Sequence, residues 1–139
     1  PGAHNAYVDR ENDRLNHKLK PLIQLVKAWK YYNNVPISSF YLELRVTKYA
    51  EKESSIVYDI DLYNIMKFLY ENNLPSIQDP MGISGYVKAC STDAKKQEAL
   101  SKLKTGFTRA EKAYGERSAN LDNCFYWWNL FFNNEFPNR

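Results

Sequence analysis

The chain has 139 residues, 44% of them apolar and 25% charged, which suits one domain with its own core and argues against intrinsic disorder. Its 19 basic and 16 acidic residues leave a formal charge of +3, too mild to indicate nucleic-acid wrapping from charge alone. With 11 Tyr, 7 Phe and 3 Trp, the core is expected to be rich in ring packing.

Residues 1–10 begin with Pro and Gly and read as irregular. From about Asp13 to Asn33 the pattern is helical, because Leu15, Leu19, Leu22, Val26 and Trp29 recur at steps of three and four. Pro21 falls inside that run, so it is expected to kink the helix or to open its second part. Asn33, Asn34 and Pro36 end it. Ser38 or Ser39 can cap the next element, over about 39–51. There Leu42, Leu44 and Val46 alternate with polar residues as in a strand, while Phe40, Tyr41 and Leu44 fit one helical face. Periodicity alone leaves that element open.

Asp59 or Asp61 can cap a helix of about 60–72, with Leu62, Ile65, Met66 and Leu69 facing inward. Residues 75–92 carry Pro75, Pro80, Gly82 and Gly85 and read as a long loop. A helix capped by Asp93 follows, with Leu100, Leu103, Phe107, Ala110 and Tyr114 on one face and Gly115 at its end. Ser118 opens the last helix, whose inner face is Leu121, Phe125, Trp128 and Phe132, with Pro137 just beyond. The expected fold is all-α, a bundle of about five helices forming one domain over 1–139. No run of residues is apolar enough for a membrane span or signal peptide, and Cys90 and Cys124 lack metal-ligand spacing. Two reduced thiols in a cytoplasmic protein are expected. The missing initiator Met suggests a piece of a longer chain.

Lys20, Gln24, Lys27 and Tyr31 share one helical face, and their charges can meet a polyphosphate. A lysine about 4 Å from a phosphate charge contributes ~4 kcal/mol at an effective dielectric near 20, before desolvation. Ser38 and Ser39 at a helix start add hydroxyls to unpaired amides, an arrangement that suits anions. Taken singly, each is equally an ordinary solvated face or helix cap. Asp59-Ile60-Asp61 has the form of a metal-binding pair, but the Gly-Ser turn that accompanies such a pair in nucleotidyltransferases is absent, and helix capping is the expected role. His4 and His17 have no carboxylate partner set by spacing. No phosphate loop, nucleophile elbow or zinc spacing occurs, so no catalytic residue and no metal ligand is assigned.

Three stretches together resemble a known family. The segment LKPLIQLVKAWKYYNNVPISSFYLEL (19–44) is similar to the Lys-x-Trp and Ser-Ser region of bacterial cyclic-oligonucleotide synthases and their oligoadenylate-synthetase-like relatives. IQDPMG (77–82) resembles the Asp-Pro turn that follows it, and NCFYWWNLFFNNEFP (123–137) resembles the family's aromatic ending. Gln24 stands where the family usually has Arg, and Asn133 where it often has Gly.

The resemblance implies the helical second domain of a two-domain nucleotidyltransferase, of the poly(A)-polymerase/oligoadenylate-synthetase type. Such enzymes join nucleoside triphosphates into cyclic di- or trinucleotide messengers in anti-phage defence. It implies that Lys27 and Ser39 contact donor triphosphate beside Ser38, that Phe40 stacks on a nucleobase, and that Lys20 is a secondary phosphate contact. It further tips residues 39–51 towards helix. The catalytic core and its Mg²⁺ would belong to a domain upstream, leaving this chain inactive alone. Two other readings are a domain of a nucleotide-adding polymerase and a stand-alone helical module that holds a partner through its aromatic surface.

Overall fold

The computed structural model describes residues 2–135 and bears out the all-α expectation, with six helices among the described residues where five were expected. The additional helix, α1 (Gly2–Arg14), occupies the stretch read as irregular. Its N-terminus carries no strong apolar stripe, but Tyr7, Val8 and Leu15 beside it are buried. Packing therefore overrides weak local propensity, as is usual for short helices. Arg14 fastens its end by donating to the carbonyls of Ala50 and Glu53, each at 2.8 Å.

The single helix expected from Asp13 to Asn33 is broken. Asn16 and His17 adopt positive φ of 57° and 63°, and the chain restarts as α2 (Leu19–Tyr32). Asn12 organises the break: its carbonyl accepts from the His17 N–H at 2.8 Å, and its side chain accepts from the Lys20 N–H at 3.0 Å. Pro21 is the third residue of α2, where amides have no acceptor within the helix, so its missing N–H costs nothing and no kink is required. Positive φ at Asn34 (52°) then turns the chain towards the next helix.

The ambiguous segment is helical, α3 (Ser39–Ala50), capped by the Ser38 hydroxyl, which accepts from the Tyr41 N–H at 3.2 Å. Tyr41, Leu42, Leu44, Val46 and Ala50 are buried along it. With so wide an apolar face, a strand-like alternation was embedded in a helix nearly surrounded by protein. α4 (Tyr58–Glu71) is capped by neither aspartate in the expected way, since Val57 occupies the cap position. Asp61 instead reaches back from inside the first turn to accept from the Val57 N–H at 2.6 Å.

The long loop contains a small hairpin, β1 (Ile77–Gln78) paired antiparallel with β2 (Tyr86–Val87), in register Ile77 to Val87. Asp79 clasps its tip by accepting from the Met81 and Ser84 amides, both at 3.0 Å. Gly82 and Gly85 supply the φ of +69° and +65° that this tight connection demands.

α5 (Asp93–Gly115) ends at the expected glycine but is capped by Thr92 rather than Asp93. α6 (Leu121–Phe131) is opened by Asn120 rather than Ser118. Of its expected inner face, Phe132 is buried and Trp128 packs partly buried against the core, whereas Leu121 and Phe125 are exposed and Cys124 and Phe131 are buried instead. Pro137 lies outside the described residues.

The core gathers around Trp29, which is buried by α5 and α6 and stacks with Phe131 at a centroid distance of 6.1 Å. Gly106 permits that approach, because a Cβ there would lie 2.6 Å from the indole nitrogen. Between α4 and α5, Tyr63 stacks on Tyr114 at 4.3 Å and Tyr70 on Phe107 at 5.3 Å, the ring packing that the composition foretold. Cys90 and Cys124 are free, buried thiols. Among the described residues, no helix is long and apolar enough to cross a membrane.

Candidate functional site

Helices α2 and α3 lie against each other, and two cross-links fix their relation. The Lys27 ammonium donates to Glu43 Oε2 at 2.7 Å, and the Tyr31 and Ser39 hydroxyls lie 3.2 Å apart, within hydrogen-bonding distance. Tyr31 is one turn beyond Lys27, and Glu43 is one turn beyond Ser39. The links therefore run in opposite sequence directions, and Lys27 and Ser39 occupy neighbouring levels of one antiparallel corner, about 5 Å of helix rise apart. Spacing on α2 alone could not reveal this arrangement.

Ser38 and Ser39 divide their work. Ser38 caps the helix with its side chain, and its N–H donates to the Ala89 carbonyl at 2.8 Å. Ser39 is half-buried and faces Tyr31. The N–H groups of Ser39 and Phe40 find no acceptor among the described residues, so the helix start presents two free donors. The Ser39 hydrogen bond, helped by the Lys30 charge, lowers the Tyr31 phenol below its ordinary range.

Glu43 is the residue the sequence reading missed. Its Oε1 takes the His4 Nε2 at 2.8 Å while Oε2 takes Lys27, so one carboxylate joins α1, α2 and α3. Partial burial pushes the acid up, but hydrogen bonds from Lys27 and His4 more than offset it, and Glu43 is held below its ordinary range. His4 thus has a carboxylate partner, contrary to the expectation from spacing, and it also lies edge-on to Phe40 at 4.9 Å. The signal was present in Glu43 standing four residues after Ser39, but its partner on α1 lies 39 residues away. His17 is exposed and lies 3.6 Å from Asp13.

Lys20, two turns before Lys27, is paired with Asp9 of α1 at 2.6 Å. Between these two ion pairs runs a groove of about 410 Å³ bounded by α1, α2 and the Glu43 side of α3. Its polar lining includes the amides of Asn5 and Gln24, both exposed. A second depression of about 350 Å³ adjoins Ser38 on the hairpin side and is edged by Lys88 and Lys95, neither of which the sequence reading singled out.

The Asp59-Ile60-Asp61 pair is divided between separate structural tasks. Asp59 receives Arg117 Nε at 2.7 Å and Nη2 at 3.2 Å, and that guanidinium holds its acid below the ordinary range. Asp61 is buried and accepts from the Tyr49 hydroxyl and the Val57 amide. The two carboxylates serve different elements, one bridging to the end of α5 and the other fastening α3 to α4. Among the described residues, no group of three or more His, Cys, Asp or Glu side chains is gathered for a metal. No family model matches the chain, and no curated protein matches its sequence.

Proposed function

We propose that this chain is the nucleotide-gripping helical domain of a nucleotidyltransferase that makes cyclic di- or trinucleotide messengers in anti-phage defence. In this reading Lys27 and Ser39 contact the donor triphosphate, with Ser38 beside them and Phe40 against the nucleobase. The observation that carries it is the antiparallel corner, where the Lys27–Glu43 and Tyr31–Ser39 links bring an ammonium, a serine hydroxyl and the free first amides of α3 to adjacent levels. Each is a donor suited to phosphate oxygens, and together they exceed what a helix start offers alone. Lys20 stands two turns away and is tied to Asp9, so its phosphate role is secondary. Phe40 keeps its packing against His4 and offers only part of its ring.

The chain contributes binding, and the in-line chemistry with its Mg²⁺ belongs to a catalytic core domain of the parent enzyme. By itself the chain is expected to form no oligonucleotide from nucleoside triphosphates. The parent is placed in the cytoplasm, where such substrates are made and used.

Calorimetry with a nucleoside triphosphate and Mg²⁺ tests this, comparing the wild-type chain with the Lys27→Ala/Ser39→Ala double variant. Binding by the wild type that the double variant loses, at unchanged helicity, is expected. Equal heats for the two proteins would overturn the assignment. One observation favours a second reading, a module that holds a protein partner: Leu121, Phe125 and Tyr126 of α6 are each more than half exposed, at 59%, 57% and 55%. That reading expects no response to nucleotide.

A further inference from the structure

A cleft of about 280 Å³ lies between α3 and α4, and no residue of the Lys27–Ser39 corner lines it. Its floor is apolar. Ile65 and Leu69 are buried there, Phe68 is 41% exposed, and Tyr49 contributes its ring because its hydroxyl is taken by Asp61. The rim is cationic, with Arg45, Lys48 and Lys52 against a single carboxylate, Glu53. Arg45 is held in place but not neutralised. Its Nη2 donates to the carbonyls of Pro75 and Ser76, both at 2.9 Å, and its Nε to the Tyr41 hydroxyl at 3.3 Å, all uncharged acceptors. The guanidinium lies 5.0 Å from the Phe68 ring centroid, so its charge stands at the apolar wall. Lys48 and Lys52 are exposed and make no ion pair among the described residues. Lysines at the end of α3 also answer its dipole, but the dipole asks for no apolar cleft beside them.

We propose that this cleft binds a free medium-chain carboxylate, with its chain on the apolar floor and its carboxylate at the ammonium groups of Lys48 and Lys52. The two halves of such a molecule match the two halves of the site. A neutral hydrophobe would leave the excess positive charge unanswered, and a compact anion such as phosphate would leave the floor in water. The lysine stems can follow the chain while their ammonium groups stay in solvent with the head group. Arg45, tied to the backbone carbonyls, adds charge without leaving its place. The volume sets the length. At about 30 Å³ for each water-sized group, the cleft holds roughly nine, the chain carbons of decanoate. The site shares no residue with the proposed triphosphate contact, so the two assignments stand or fall separately.

The test is a ¹H–¹³C methyl NMR titration of the whole chain with octanoate, decanoate, dodecanoate and decanol, each kept below its micelle or solubility limit. The Ile65 and Leu69 methyls are expected to shift with decanoate. Decanoate is expected to bind roughly fifteenfold tighter than octanoate, from two more buried methylenes, and dodecanoate to gain little because its chain outgrows the cleft. Lys48→Gln/Lys52→Gln is expected to weaken decanoate roughly fivefold and to leave decanol unchanged. Both lysines are exposed, so the double variant is expected to fold, and its methyl spectrum verifies that. Phe68→Ala, also at an exposed position, is expected to weaken decanoate and decanol alike. Ile65 and Leu69 methyls that stay unmoved by decanoate overturn the site. Equal affinity for decanol and decanoate in the wild type, or undiminished decanoate binding in the double lysine variant, overturns the carboxylate assignment. Affinity that keeps rising at the same rate past decanoate, as on an open apolar surface, overturns the cleft as the place of binding.

Discussion

Two junctions of this chain use nearly the same chemistry and come out differently. At the α3–α4 junction, Asp61 is only 3% exposed and has the Tyr49 hydroxyl and the Val57 amide as its partners. At the α2–α3 corner, Glu43 meets Lys27 and His4 at the edge of an open groove, and side-chain exposures of 25% and 18% leave Glu43 and Lys27 within reach of solutes. A carboxylate enclosed by protein donors is a fastening. One whose counter-ion borders open space can exchange it for a ligand. The contrast teaches that residue type alone does not mark a site, and that access of the partner to solvent decides.

The largest effect is expected at the closed junction. Asp61→Ala removes a buried acceptor shared by the part-buried Tyr49 hydroxyl and Val57 amide, a loss of about 3 kcal/mol in urea denaturation. Triphosphate binding, referred to the folded fraction, should be unchanged. Gly106→Ala comes next, because the new methyl would meet the Trp29 indole at 2.6 Å and Met66 Cε at 3.2 Å. Overpacking of this kind costs roughly 1–3 kcal/mol, and a shift in tryptophan emission should accompany it.

Lys27→Met is expected to act in the opposite sense. The pair it breaks is only partly buried, so about 1 kcal/mol of stability should be lost, while triphosphate affinity measured by calorimetry falls at least roughly tenfold. A variant that lost stability heavily but kept its affinity would make the corner a fastening like its neighbour.

The smallest effect concerns pH. Lys27 and His4 hold the folded-state acid of Glu43 below its ordinary range against the pull of burial, so its contribution is complete above that range. It is lost as pH falls through the lower, folded value, because the unfolded chain then binds the proton first. Asp59, held by Arg117, and Asp79, held by the Met81 and Ser84 amides, act in the same direction. Stability is therefore expected to vary little from these groups between pH 7 and 5 and to decline below. Glu43→Gln should make the decline shallower in acid denaturation curves.

Helical character was legible in the sequence where periodicity was strong, as along Leu19–Trp29 and Leu100–Tyr114. It failed where tertiary contacts decide. The helix α1 is stabilised by burying Tyr7 and Val8 against elements far along the chain, and the break at Asn16 and His17 depends on Asn12 turning back to close it. Ser38 caps α3 as expected, while the caps of α5 and α6 lie one and two residues from the expected ones, because Ser, Thr, Asn and Asp cluster at those boundaries and local chemistry ranks them nearly equally. The expected inner face of α6 holds at Trp128 and Phe132 but not at Leu121 and Phe125, because every position from Phe125 to Trp128 is aromatic and the pattern carries no phase. At the candidate site, Lys27, Ser38 and Ser39 could be named from sequence, but not that Glu43 and His4 secure the lysine from two other helices.

In the proposed function Lys27 leaves Glu43 for phosphate. The most direct measurement is the NMR signal of the Lys27 side-chain ammonium during titration with tripolyphosphate. This resonance is expected to move with saturation, and Ser39→Ala to weaken the response. A Lys27 signal that stays fixed while Lys88 and Lys95 respond would contradict it and transfer the anion site to the depression beside the hairpin.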